Sequence, residues 1–286
     1  GQSFAEYVRM NILEPLGMGS STADPDAMND IPRGYTRLFG FAIPAKEGVP
    51  AYGVGEGWIV SNAVDLAKFA IEFMKDQSIM VSPEMMHRIQ TPGLGAYGMG
   101  WFIYDNGSKI VHGGANQTFR TEVNLYPKVD RAFVLLTNEG HQVDHFVSAS
   151  QLTAGVEAVV LGNTPPSIKQ GWSVKWIGWG IGLFVLALCV LETRNFLSLR
   201  GWRERIALVS PAKRNWDIAI SFLIPVIITT FVFWQVGNCY GNRFNLVSSI
   251  AYMRQGMPDI FILMLIGTFP DLIQGFIKIF LWAGKK

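Results

Sequence analysis

Lys109–Asn138, KIVHGGANQTFRTEVNLYPKVDRAFVLLTN, decides how the first half of the chain folds. The stretch divides into three short strands. Lys109–Gly114 is apolar and ends in two glycines, Thr121–Tyr126 alternates polar with apolar residues, and Arg131–Thr137 carries an unbroken Ala-Phe-Val-Leu-Leu run. Asp105-Asn106-Gly107 predicts a hairpin turn before the first strand, because Asn-Gly accepts the positive φ that a tight primed turn demands. Pro127-Lys128-Val129-Asp130 predicts the turn between the second and third. The expected product is an antiparallel meander with His112-Gly113-Gly114-Ala115 at the edge of its first strand.

Such an edge has a chemical use. Two residues without side chains let an extended substrate lie beside the strand and pair with its backbone. The following amide, on Ala115, could donate to an oxyanion as a carbonyl is attacked. His112 could bind a carboxylate or help move a proton. A strand that merely ends in a Gly-Gly turn beside a satisfied histidine would give the same four letters.

Further segments carry a family resemblance. They are FAEYVRMNILEPLGM at Phe4–Met18, Gly34-Tyr35, GEGWIVSNAVDLAKF at Gly55–Phe69, YGMGW at Tyr97–Trp101, and the Val111–Asn138 region with its closing Leu-Thr-Asn. In this order they resemble the serine β-lactamase-related family: class C β-lactamases, low-molecular-mass penicillin-binding proteins, and related esterases and D-aminopeptidases. The resemblance covers about the first 160 residues, and the C-terminal third is outside it. It implies an α+β fold, an antiparallel sheet with packed helices, as part of a β-lactamase/DD-peptidase-like domain. His112 stands where the family has Lys or His in its third active-site motif, Gly113 and Gly114 complete that motif, and Ala115 would supply the oxyanion amide. The resemblance thus implies His112 and Ala115 as catalytic, with Gly113, Gly114 and Asn116 against substrate. Asn116–Phe119 lacks the Pro and Gly of the common continuation, which bears on the substrate rim.

The family also uses a Ser-x-x-Lys nucleophile and a Tyr-x-Asn element upstream. The chain is expected to lack this Ser-x-x-Lys nucleophile. Tyr104-Asp105-Asn106 matches the second element letter for letter, but it falls in the hairpin turn and reads as a coincidence. The chain starts Gly-Gln-Ser with no charged-then-apolar leader. The expectation is a C-terminal portion of a longer protein, with the serine, its lysine and the tyrosine in the preceding sequence.

Composition divides the molecule. Of 286 residues, 49% are hydrophobic and 16% charged, too apolar for an ordinary soluble protein. Residues 1–170 carry 12 Lys and Arg against 17 Asp and Glu, a net of −5, whereas residues 171–286 carry 12 against 5, a net of +7. The basic half is also the apolar half, which argues against a nucleic-acid partner. Cys189 and Cys239 form no disulfide framework. No cofactor motif stands out. The expected partners are a small-molecule or peptide substrate and the lipid bilayer.

Along the chain, Ser3 with Glu6 predicts a helix to about Leu13. Asp24–Pro50 reads as an irregular connection. Ser61 or Asn62 opens a helix to Met74, and Ser82-Pro83-Glu84 opens a third. Val143–Leu161 predicts a helix covering the sheet. The domain is expected over 1–163, a linker over 164–171, and an all-α transmembrane region of about three helices over 172–286. The spans fall near 173–193, 216–236 and 260–282, with Trp172, Trp176 and Trp179 as an interfacial belt. Pro270, Asp271 and Lys278 weaken the third, where Asp271 would mark a kink, a helix start or a polar pathway. Arg194, Arg200, Arg203, Arg205, Lys213 and Arg214 outnumber Glu192 and Glu204 between the first two spans. The positive-inside bias then puts that loop and the Lys285-Lys286 tail in the cytoplasm and the domain outside.

His141 and His145, with Asp144 between them, have metal-ligand spacing but no third ligand, so a solvated helix start is expected there and no metal. His87 reads as a surface residue. The parent is expected to be a membrane-anchored serine hydrolase acting outside the cell. Two other classes stay open: a catalytically silent relative that binds a peptide or β-lactam, and a membrane protein whose spans carry the function.

Overall fold

Side-chain caps start the helices. The computed structural model describes residues 1–24, 26–27, 31–45, 55, 57–140, 149–167, 174–239 and 246–284. Ser3 Oγ accepts the Glu6 amide at 3.2 Å and opens α1, Phe4–Val8. Asn62 Oδ1 accepts the Asp65 amide at 2.9 Å and opens α2, Ala63–Phe73. Ser82 Oγ accepts the Met85 amide at 3.2 Å and opens α3, Pro83–Ile89. Each bond satisfies an amide that the first turn leaves without a helical partner. The expected single helix to Leu13 is two segments. From Arg9 to Leu13 the backbone widens into a π turn, and the Glu14 amide reaches back to the Arg9 carbonyl at 2.9 Å.

The irregular connection expected over Asp24–Pro50 contains a hairpin, β1 (Gly34–Leu38) and β2 (Phe41–Ala45). Its turn places Phe39 at φ 49° and Gly40 at φ 85°. Two positive φ values suit the twist of a tight hairpin. A phenylalanine in the left-handed region is uncommon, so the usual Asn-Gly signal was missing. Residues 25, 28–30 and 46–50 of that connection lie outside the described residues.

The main sheet is antiparallel in the order β3-β4-β5-β6, with β3 at Phe102–Tyr104, β4 at Lys109–Ala115, β5 at Arg120–Tyr126 and β6 at Arg131–Thr137. The three expected strands are present, and a short fourth precedes them. Asp105, Asn106 and Gly107 all take positive φ, 50°, 54° and 79°, to turn β3 into β4. Period-two alternation sends Ile110, Val123, Leu125 and Val134 to one face. There they join Ala70 and Phe73 of α2, Met86 of α3, Trp101 and Ile103 in one core. Leu125 is completely buried.

On the opposite face lies α4, Ala149–Val160. Lys109 Nζ pairs with Glu157 at 2.6 Å, the Thr153 hydroxyl donates to Glu122 at 2.8 Å, and the Arg131 guanidinium donates to the Val160 carbonyl. The residues 143–148 expected to begin this helix lie outside the described residues. Gly162, at φ 78°, ends it, and the Asn163 amide returns to the Ala158 carbonyl at 2.8 Å. Of the expected linker, residues 164–167 are described and carry no regular structure.

Buried Asp65 ties the Pro-Leu-Gly-Met turn to α2. It accepts from the Ser20 amide, the Ser21 hydroxyl and Lys68 Nζ, all at 2.9 Å. Burial pushes its carboxyl up, but the bonds from Lys68, Ser21 and Ser20 outweigh it and hold the group below its ordinary value.

By contacts the chain forms two units, Gly1–Thr36 with Ile43–Gly171, and Arg37–Ala42 with Trp172–Lys286. In the second, α5 (Val174–Ser198), α7 (Pro211–Cys239) and α9 (Pro258–Ala283) are each long and apolar enough to cross a membrane. All three exceed the expected spans. α9 runs unbroken through Pro270, so Asp271 sits in mid-helix and caps no helix start. Two unanticipated helices join them, α6 (Trp202–Ala207) and α8 (Leu246–Gly256). α8 seats Met253, fully buried, against Phe233 and Met264.

Polar side chains bind the long helices to one another. Gln274 Nε2 of α9 donates to Glu192 of α5 at 2.7 Å. Lys278 pairs with Asp217 of α7 at 3.0 Å and donates to the Ser221 hydroxyl at 3.2 Å, while Trp202 Nε1 donates to Asp217 at 2.8 Å. A Cβ at Gly275 would stand 2.6 Å from the Phe222 ring, so glycine permits the close approach of α9 to α7.

Candidate active site

β3 is only three residues long, and its pairing with β4 ends at Phe102 opposite Val111. Past that point, from His112 to Ala115, β4 has β5 on one side and, among the described residues, no strand on the other. The Ile103 amide bonds the Ala96 carbonyl at 2.7 Å and so points away from β4. Phe102 and Tyr104 therefore face β4, and Val111 and Lys109 face them. In an antiparallel ladder this direction alternates, which turns the N–H and C=O of Gly113 and Ala115 toward the open side. Those of His112 and Gly114 go to β5. The loop agrees: the Asn116 amide, next in the alternation, bonds the Phe119 carbonyl on the β5 side at 3.0 Å.

His112, Gly113, Gly114 and Ala115 are all exposed. Packing does not demand the two glycines. A Cβ at Gly114 would meet nothing within 4 Å, and one at Gly113 would make an ordinary contact, 3.6 Å from the Thr121 carbonyl. The open margin is bare because its side chains are missing, not because neighbours fill the space.

His112 Nδ1 lies 2.5 Å from the Gly100 carbonyl. A carbonyl only accepts, so Nδ1 carries the hydrogen and the neutral ring keeps its lone pair on Nε2. Among the described residues nothing takes that second nitrogen. The ring meets Trp101 edge to face at 5.9 Å, and Trp101 in turn contacts Phe73 of the core at 4.5 Å. The imidazole is thus held from two sides, by a backbone acceptor and by an aromatic wall. Gly100 takes φ 84°, which a side chain would strain, and Gly98 has the Ile89 carbonyl 2.8 Å from the place of a Cβ. The two glycines of Tyr97–Trp101 have different reasons, one conformational and one steric.

Asn116 shapes the rim. Its Oδ1 accepts the amides of Thr118 at 3.1 Å and Phe119 at 2.6 Å, closing the β4–β5 loop on itself. Two glycines distant in sequence pack tightly against that loop. A Cβ at Gly34 would fall 2.5 Å from Thr118, and one at Gly140 would fall 2.6 Å from the Gln117 carbonyl. The Pro-Gly pair of the usual continuation is thus replaced by an asparagine turn packed against Gly34 and Gly140. Gly100, Gly34 and Gly140 were missed as site-supporting residues. Only the Gly-x-Gly spacing at 98–100 and the Gly-Tyr step at 34–35 hinted at them.

The remaining candidates separate cleanly. Tyr104-Asp105-Asn106 closes β3 and makes the hairpin turn, as its position implied. His87 is exposed on α3. His141, Asp144 and His145 lie outside the described residues. One expectation is corrected by the residues themselves: Ser210-Pro211-Ala212-Lys213 does match Ser-x-x-Lys. It stands at the start of α7, where Ser210 Oγ accepts the Lys213 amide at 3.4 Å and proline fills the first turn. That is a helix cap, and it follows the His-Gly-Gly strand in sequence, whereas the family nucleophile precedes its third motif.

Solved structures that resemble the chain include an octameric penicillin-binding protein homologue from Pyrococcus abyssi, 24% identical over 58% of this chain and 39% of that one, with TM-score 0.47. A penicillin-binding protein from Bacillus halodurans is 22% identical over 53% and 49%, with TM-score 0.44. A class C beta-lactamase is 17% identical over 51% and 49%, with TM-score 0.41. The chain spans from about two fifths to one half of the length of these proteins. No curated protein matches. The Beta-lactamase family model matches residues 1–157, more than half of the sequence, and the chain belongs to that family.

Proposed function

We propose that this chain builds one wall of the cleft of a membrane-anchored, extracytoplasmic serine hydrolase working through an acyl-enzyme. The substrates in view are amides and esters: D-amino-acid peptides, cell-wall fragments, β-lactams or small esters. One observation carries the reading, the open margin of β4 from His112 to Ala115 with the backbone groups of Gly113 and Ala115 turned outward.

An extended substrate pairs with those backbone groups as an added strand. A serine oxygen adds to its carbonyl carbon, the serine proton passes to a base, and negative charge gathers on the carbonyl oxygen. The Ala115 amide donates to that oxygen. The leaving amine or alcohol departs with a proton, and water then hydrolyses the acyl ester. His112, with Nδ1 tied to Gly100, presents Nε2 as a proton acceptor or, when protonated, as a partner for a substrate carboxylate. The serine and its lysine come from sequence outside these 286 residues, since Ser210 serves α7. The spans hold the domain at the bilayer, with the cationic loop inside and the cleft outside.

The test is covalent labelling of the full-length protein by a fluorophosphonate and by a fluorescent penicillin. Labelling should occur, and His112→Ala should slow it by about a hundredfold or more, the usual scale for a group acting on a proton in flight. Absent labelling with retained reversible penicillin or peptide binding would establish the silent, ligand-binding alternative instead.

A further inference from the structure

The three long helices end together on a group of cations that have no carboxylate partners among the described residues. Between the end of α5 and the start of α7 stand Arg194, Arg200, Arg203, Arg205, Lys213 and Arg214, six cations against Glu192 and Glu204, a net of +4. Glu192 is taken up by Gln274. Among the described residues no ion pair reaches any of the six. Their bonds go elsewhere: Arg205 to the Ser198 carbonyl at 2.5 Å, Arg203 to the Gly284 carbonyl at 3.5 Å, and Arg214 over the Trp282 ring at 4.7 Å. Arg194, Arg200 and Lys213 are exposed with no protein partner among the described residues.

The opposite end of the same helices differs. Its described residues, 174–182, 230–239 and 246–260, carry only Lys175, Arg254 and Asp259. Lys175 lies over the Trp179 ring at 5.2 Å. Charge is therefore concentrated at one end of an otherwise apolar bundle, at the level of exposed Trp216 and Trp282. Tryptophans at that height mark the headgroup layer of a bilayer.

Six cations with no acidic partner among the described residues stand on α5, the turn at 199–201, α6 and α7, and two of them meet the end of α9. We propose that this end of the bundle binds anionic phospholipid headgroups, whose phosphates supply the missing counter-charge. Arg203 and Arg214, flanking the end of α9, form the centre of the surface. Arg194, Arg200 and Lys213 form its outer contacts.

The experiment uses the purified full-length protein in mixed micelles holding equal amounts of phosphatidylglycerol and phosphatidylcholine, with retained lipid measured by mass. Phosphatidylglycerol should be enriched by about threefold or more at low salt, and the enrichment should fall toward one in about 0.5 M salt as screening sets in. Arg194→Gln/Arg200→Gln/Lys213→Gln should abolish most of the enrichment. Arg33→Gln/Arg88→Gln/Lys128→Gln, which removes the same charge from the other unit, should leave it unchanged. Equal retention of both lipids by the wild type, insensitivity to salt, or equal loss in the two triple variants would overturn the proposal. The wild-type and salt measurements hold even if a variant fails to fold.

Discussion

The sheet unit seals an apolar core between its sheet and helices, and the long helices of the other unit display most of their large apolar side chains. Ile110 and Leu125 are sealed between β-strands and α2, whereas Leu183 is 69% and Phe276 66% exposed on the long helices. Polar groups invert the pattern. In the sheet unit charges sit mainly at the margins, with Asp65 and Glu72 buried only because amides, hydroxyls and lysines meet them. In the helical unit Gln274, Lys278 and Asp217 lie between helices and hold them together. The same twenty side chains are sorted by two different solvents. Burial from water drives the first, while the second gains little by burying leucine against leucine, because lipid is equally apolar.

The largest test of that contrast is a pair of leucines. Leu125→Ala should destabilise the sheet unit by ~2–5 kcal/mol in denaturant unfolding, because it removes a sealed side chain and leaves a cavity. Leu183→Ala should change helix stability in detergent by no more than ~0.5 kcal/mol. Comparable losses would break the comparison. Two glycines sharpen it within the sheet unit. Gly98→Ala should destabilise by ~1–3 kcal/mol, since the Ile89 carbonyl stands 2.8 Å from the new methyl and belongs to the backbone. Gly114→Ala should leave stability within ~0.5 kcal/mol while slowing covalent labelling, because its methyl enters open space beside β4.

Gly275→Val tests the helical side, where a side chain would press on Phe222 and part α9 from α7. Loss of about 1 kcal/mol is expected in unfolding from mild to harsh detergent, on the scale of membrane helix contacts. The smallest effect is that of pH on the sheet unit. Bonds from Lys75, against the upward pull of burial, hold the Glu72 carboxyl below its ordinary value, helped by the Ile79 amide, and Asp65 is also held low. Groups lowered in the folded state add stability above their unfolded values and lose it as pH falls through the folded ones. The denaturation midpoint should therefore drop as the solution passes below about pH 4, the ordinary carboxyl range. Asp65→Asn and Glu72→Gln should flatten the slope. Lys68 and Lys75 are half exposed, so solvent screening keeps the effect modest.

Much of this arrangement was legible in local residues. Ser3, Asn62 and Ser82 each cap the helix their position announced, and Asn106-Gly107 turns β3 into β4 as the dipeptide requires. The β1–β2 hairpin was not legible, because the first residue of its turn at positive φ is Phe39 and not Asn or Gly, against local preference. α8 was missed for a related reason: Leu246–Gly256 has a weak apolar face, and its burial depends on Phe233 and Met264 from other helices. At the candidate site, His112-Gly113-Gly114-Ala115 could be picked out from four letters. That its margin is open could not.

By itself the sequence determined the three strands of 109–137, which helices suit a bilayer, and which four residues lack bulk along a strand, because period, capping and apolar length act within a few residues of one another. Only the tertiary structure decided that the pairing of β3 with β4 ends at Phe102 opposite Val111 and leaves His112–Ala115 uncovered, that Gly100 sets the histidine's hydrogen, and that Gly34 and Gly140 pack against the loop beside it. Those outcomes depend on strand register and on contacts between residues far apart in the chain, where no local preference reaches.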